Sequence, residues 1–149
     1  LDAKWVTCLR VGGYGHALTK GKVYEAVAEG THQFRITGDH NKRVWIDKSY
    51  FVTGKVEVPI LSSWKFDDEC ENLDLIEVTI TFSTGMKRWC LVTTPQRLVR
   101  HFADAQLDVP GFHIQHLIIV KTLNVEDVEH TLRHLDEQGE IEKATLLLK

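Results

Sequence analysis

The residues able to do chemistry are few and scattered. His130 and His134 stand four apart in HTLRH, a spacing that sets both on one helix face and can hold a metal ion. Glu126 and Glu137 fall near the same row. The two imidazoles lie opposite the apolar stripe of that segment, and HTLRH lacks the glutamate of a HExxH zinc motif. They therefore read as a solvated polar face. His113 and His116 in FHIQH are three apart on an extended run, so they point to opposite faces and make a poor ligand pair. Gly15–Val23 (GHALTKGKV) has five residues between its glycines and Val23 at its end. A phosphate loop needs about four there, followed by Ser or Thr for magnesium, and a helix rather than a strand beyond it. The acidic cluster Asp67, Asp68, Glu69, Glu71 and Asp74 lacks the spacing and the glycine of a calcium loop. Cys8 and Cys90 sit in apolar runs and read as small core residues. No catalytic residue, metal ligand or cofactor is assigned, and the chain reads as non-enzymatic.

The aromatic residues carry more. In Arg43-Val44-Trp45-Ile46 a strand period puts Trp45 opposite Val44 and Ile46. If those two fill a core, Trp45 faces outward. Tyr14 lies in a glycine loop and Tyr50 precedes Phe51. Together Tyr14, Trp45 and Tyr50, among Lys20, Lys42, Arg43 and Lys48, could line a groove for an extended peptide of a protein partner. The same set could stack on and neutralise single-stranded nucleic acid.

Short strands must position these residues. From Trp5 to Val58 five runs are rich in β-branched and aromatic residues: Trp5–Val11, Lys22–Ala28, His32–Thr37, Arg43–Ile46 and Phe51–Val58. Glycine, asparagine and aspartate turns separate them, the pattern of a small barrel or sandwich. From Leu75 the periodicity changes. Val78, Ile80 and Phe82 alternate with polar residues in one strand, and Arg88–Thr93 completes a hairpin. Thr93 with Gln96 has capping-box spacing for a helix Pro95–Leu107, whose Leu98, Phe102 and Ala105 share a face. Phe112–Leu123 reads as a long central strand. Asn124 opens a second helix, Val125–Gln138, with Val125, Val128, Leu132 and Leu135 as its core stripe and Gly139 as its stop. Ala144–Leu148 could close the sheet. The expected fold is α+β: a barrel at residues 1–58, an acidic linker at 59–74 and a ββαβα(β) half at 75–149 packed on the barrel. Trp64 and Phe66 are expected to anchor the linker to a neighbouring surface.

Leu18–Tyr24 (LTKGKVY), the turn Ile36–Asp39 (ITGD) and Lys48–Phe51 (KSYF) resemble small bacterial and phage domains with a Src-homology-3-like barrel. The resemblance covers the first third of the chain. It implies a binding barrel and no reaction.

Composition sets the remaining bounds. The 149 residues suit one domain or two small ones, with a core large enough to need no metal or disulfide. The net charge of −3 hides a split: residues 1–66 hold ten Lys/Arg against six Asp/Glu, and residues 67–149 hold eight against fifteen. Such asymmetry steers encounters with a charged partner. No apolar run reaches the ~20 residues of a membrane helix. Three dispersed cysteines without CxxC suggest reduced thiols and a cytoplasmic setting. The chain starts at Leu1 without a signal-peptide pattern, which leaves a cleaved leader or a preceding domain open. The function expected is recognition of a protein partner, as an adaptor, inhibitor or immunity factor. Nucleic-acid binding through the basic first half is the alternative, and a hydrolase or metal enzyme with a site assembled only in the fold is a second one.

Overall fold

The computed structural model describes residues 4–104, 110–111 and 113–149. The chain divides into two compact units, Leu1–Ile60 with Asp136–Gly139, and Leu61–Leu135 with Glu140–Lys149.

In the first unit β1 (Lys4–Cys8), β2 (Val23–Glu29), β3 (Gln33–Thr37), β4 (Arg43–Asp47) and β5 (Phe51–Thr53) form one antiparallel sheet. Its order is β4-β3-β2-β1-β5. Alternation explains the strands: Val6, Cys8, Tyr24, Phe34, Ile36, Ile46 and Phe51 all turn to one side and are buried together. Each such side chain contributes about 1.5–3 kcal/mol by leaving water. The sheet curls into a half-barrel. A bulge between Ala26 and Ala28 adds to the bend. A single 3-10 turn, Lys48–Tyr50, capped by the Asp47 carboxylate accepting from the Ser49 N–H, connects β4 to β5. Asp136–Gly139 belongs to this unit. The Val11 N–H donates to the Glu137 carbonyl at 2.7 Å, and Lys20 Nζ meets Asp136 Oδ1 at 2.5 Å with both side chains almost covered.

In the second unit β6 (Leu61–Phe66), β7 (Ile76–Phe82), β8 (Lys87–Thr93) and β10 (Leu146–Leu147) run in the order β10-β8-β7-β6, and β9 (Leu117–Ile119) pairs with β8 in parallel. Helices α1 (Pro95–Phe102), α2 (Val125–Glu137) and α3 (Ile141–Ala144) complete it. Val78, Ile80, Cys90 and Val92 from the sheet meet Val128 and Leu132 from α2 and Ile141 from α3 in one core. At the end of α2 the Glu140 N–H reaches the Leu135 carbonyl and the Gly139 N–H the Asp136 carbonyl. This double closure requires the positive φ of 72° that Gly139 adopts.

The mixed α+β class and the barrel-like first sheet agree with the sequence, but several elements differ. Residues 59–74 include β6, whose Trp64 and Phe66 stack edge to face at 5.0 Å and pack on the second unit's core. Hydrogen bonding to β7, not a loop's freedom, holds that stretch. The long central strand shrinks to three residues that pair with β8 alone. His116, at φ 62°, interrupts the extended run before it, and Phe112 lies outside the described residues. Helix α1 stops at Phe102 and buries none of its residues; Ala105 and Leu107 are likewise outside the described part. Its cap is Thr94, whose hydroxyl accepts from the Arg97 N–H, while the Thr93 hydroxyl donates to the Asp74 carbonyl. Val125 is 61% exposed, so the core stripe of α2 begins one turn later.

Candidate functional site

Cross-strand partners share a sheet face, so the register defines what the curled sheet shows to solvent. With Phe34, Ile36 and Ile46 inside, Arg35 and Trp45 lie outside, directly opposite one another. Arg43 and Thr37 form the neighbouring outer row, and Trp5 opposite Glu25 lies further across. Trp45 is 43% exposed and Trp5 36%, while Val27, in the bulge, is 42% exposed. The Lys55 ammonium sits 4.6 Å from the centre of the Trp5 ring. The face thus carries two indoles set among cations. Glu25 and Asp47 are the acidic residues on these strands' outer rows.

Tyr14 and Tyr50 come together elsewhere. Their rings meet edge to face at 5.3 Å, and both pack on the buried cluster of the first unit. The Arg10 guanidinium lies 4.0 Å from the Tyr50 ring centre and donates to the Ser49 hydroxyl. On the other side Tyr14 leads to His16 at 6.5 Å and His16 to His40 at 5.4 Å. Gly12, at φ 55°, lets the loop close onto this strip: a Cβ there would sit 2.7 Å from the Tyr50 hydroxyl. Among the described residues no ring contact joins Trp45 to either tyrosine. The two tyrosines pack toward the core, whereas Trp45 turns away from it.

Electrostatics separates the four cations, of which Lys20 is held by Asp136. Lys48 Nζ donates to Glu29 Oε2 at 2.6 Å and lies over the Phe34 ring, so its charge is already paired. Lys4 binds the other oxygen of Glu29. Hydrogen bonds from Lys4 and then Lys48 draw the Glu29 carboxyl down to about 2. Lys42 and Arg43 are exposed and make no ion pair among the described residues. Nearby, burial works against ionised Asp39, yet the donors Lys22, Thr19 and Tyr24 outweigh it and hold its carboxyl below the usual range. Burial lifts the Tyr24 phenol to about 12 and the Cys8 thiol to about 11. Neither is prepared as a nucleophile.

In the second unit Lys121, Asp127, His130, Thr131 and His134 line an open depression of about 380 Å³. The Asp127 carboxylate accepts from the Thr122 hydroxyl. Among the described residues no cluster of three His, Cys, Asp or Glu could hold a metal ion. The acidic stretch is largely engaged: Asp67 accepts from Thr79, Asp68 from the Glu77 N–H, and Asp74 from Arg100.

No protein-family model matches the chain, and neither a curated protein nor a solved structure is similar to it. The site therefore has to be read from its own geometry. Sequence reasoning missed Trp5, Arg35, Arg10, His16 and His40. Trp5 could have been found by applying to β1 the alternation used for Trp45; the same alternation on β3 already turns Arg35 away from Phe34 and Ile36, without marking it as a site residue. Arg10, His16 and His40 lie in irregular backbone, where no period predicts neighbours.

Proposed function

We propose that this chain is a non-enzymatic protein-recognition protein, whose first unit is a Src-homology-3-like barrel binding a partner through the outer face around Trp45. The observation that carries the reading is a half-exposed tryptophan on a sheet face beside Arg35 and Arg43. Tryptophan and arginine dominate interface hot spots because they bury large area with few rotamers to freeze. The curl of the five-stranded sheet supports the barrel. Candidate roles are an adaptor, or an inhibitor or immunity factor that covers a partner's surface.

A photo-crosslinking residue placed at Trp45, in cells that make the protein, should give discrete protein adducts that the same group at exposed Lys65 does not. Absence of any adduct particular to position 45 would overturn the reading. The indoles beside unpaired cations favour single-stranded nucleic acid as the second reading. Nucleic-acid adducts at position 45, with affinity falling steeply as salt rises, would favour it.

A further inference from the structure

β4 is the last strand of its sheet, and its backbone shows which groups are unused. The Gly38 N–H donates to the Lys42 carbonyl, and the Lys48 N–H donates to the His32 carbonyl. In an antiparallel ladder hydrogen-bonded pairs alternate with non-bonded ones. Between those two fixed bonds, Val44 and Ile46 therefore turn their N–H and C=O toward β3. Arg43, Trp45 and Asp47 turn theirs away. No strand pairs with that far edge among the described residues. The side chains of the same three residues alternate onto the outer face, so free backbone and outward side chains belong to the same positions.

The charge on this edge is also unspent. Arg35, Lys42 and Arg43 make no ion pair among the described residues, unlike Lys4, Lys20, Lys22 and Lys48. The Nε of Arg35, in the row beside Trp45, is withdrawn from water without an acceptor. A donor left in that state is costly, and a carboxylate is its natural complement. A continuous phosphate backbone suits the face less well, since Asp47 and Glu25 interrupt the cations.

We infer that the far edge of β4 receives an extended acidic segment of the protein partner as an added strand. This rests on the proposed recognition role and names its chemistry. The segment's backbone pairs with Arg43, Trp45 and Asp47. It sets a carboxylate against Arg43 and an apolar residue two positions away against Trp45. Opposite Asp47 it carries a donor such as serine or threonine. Backbone bonds supply affinity, and alternate side chains supply specificity.

Synthetic peptides of about eight residues, a typical strand length, test this directly. They carry glutamate and leucine two positions apart on a threonine background. The glutamate peptide should bind and slow hydrogen exchange at the amides of Arg43, Trp45 and Asp47. Its glutamine counterpart should bind more than tenfold weaker, and a version N-methylated at alternate residues should not bind. Arg43→Glu should lose the glutamate peptide and gain a lysine one. Equal affinity for glutamate and glutamine peptides would overturn the acidic preference and leave the recognition role standing. The same follows for the edge if binding perturbs Tyr14 and Tyr50 while the β4 amides exchange as before. Failure of every peptide to bind would leave the cations as guards against strand addition and overturn the inference. Binding of oligothymidylate in preference to all peptides would overturn both the inference and the role.

Discussion

Trp45 and Ile46 are adjacent in sequence and opposite in environment, one 43% exposed and the other fully buried. Trp45→Ala should lower stability by no more than about 1 kcal/mol, whereas Ile46→Ala should cost about 2–5 kcal/mol through lost transfer energy and a cavity. Chemical unfolding of the two variants measures the contrast, and a large loss in Trp45→Ala would remove the tryptophan from the binding face. Lys20 and Asp136 form an ion pair with little solvent access. Removing one partner leaves the other, nearly covered charge less well compensated, so Lys20→Met should cost about 3 kcal/mol. The double variant Lys20→Met with Asp136→Leu should recover much of that, as unfolding midpoints will report. Glu29 makes the pH case. Its carboxyl drops from 4.5 to about 2 because Lys4 and then Lys48 favour the ionised form. Its contribution to stability is therefore complete above pH 4.5 and disappears as pH falls through about 2. A carboxyl-detected titration should give that low midpoint, and Lys4→Ala should move it upward.

At the scale of elements, caps and edges decide more than propensity. Helix α1 buries none of its residues, so its ends bear an unusual share of its stability. Thr94 supplies the N-cap through an acceptor bond from the Arg97 N–H. Thr94→Ala should cost about 1 kcal/mol and show first as faster amide exchange in α1 with the β7–β8 hairpin still protected. Arg88 plays the corresponding part at the other end of β8. It donates to the Thr145 hydroxyl and carbonyl and to the Glu142 carbonyl, tying α3 and β10 to that strand. The β4 edge is different in kind: among the described residues no strand pairs with its outward groups, which the proposed partner strand would use.

For the whole molecule, the three free thiols give a simple measure of what the fold covers. Cys8 and Cys90 are buried, their thiols lifted to about 11 and about 12 by loss of solvation, while Cys70 is only half-covered. A thiol-specific reagent at neutral pH should modify one cysteine in the native protein and three after denaturation, with Cys70→Ser abolishing the native reaction. Rapid native labelling of Cys8 or Cys90 would contradict the core described here. Among the described residues no helix is long and apolar enough to cross a membrane.

Period and turn chemistry alone determined much of this protein. They predict the α+β class, the five short strands of the first unit, the outward Trp45, the buried Cys8 and Cys90, and the stop at Gly139. Each follows from interactions between residues close in sequence, where alternation or a cap is unambiguous. Tertiary structure decided the rest. It recruited residues 61–66 as a strand because β7 offered an edge to pair with, and it turned Tyr14 and Tyr50 toward the core that Trp45 turns from. It spent Lys48 on Glu29 and left Arg43 without an ion pair among the described residues, a difference that composition cannot carry, since the partner of a charge is chosen by strands far apart in the chain.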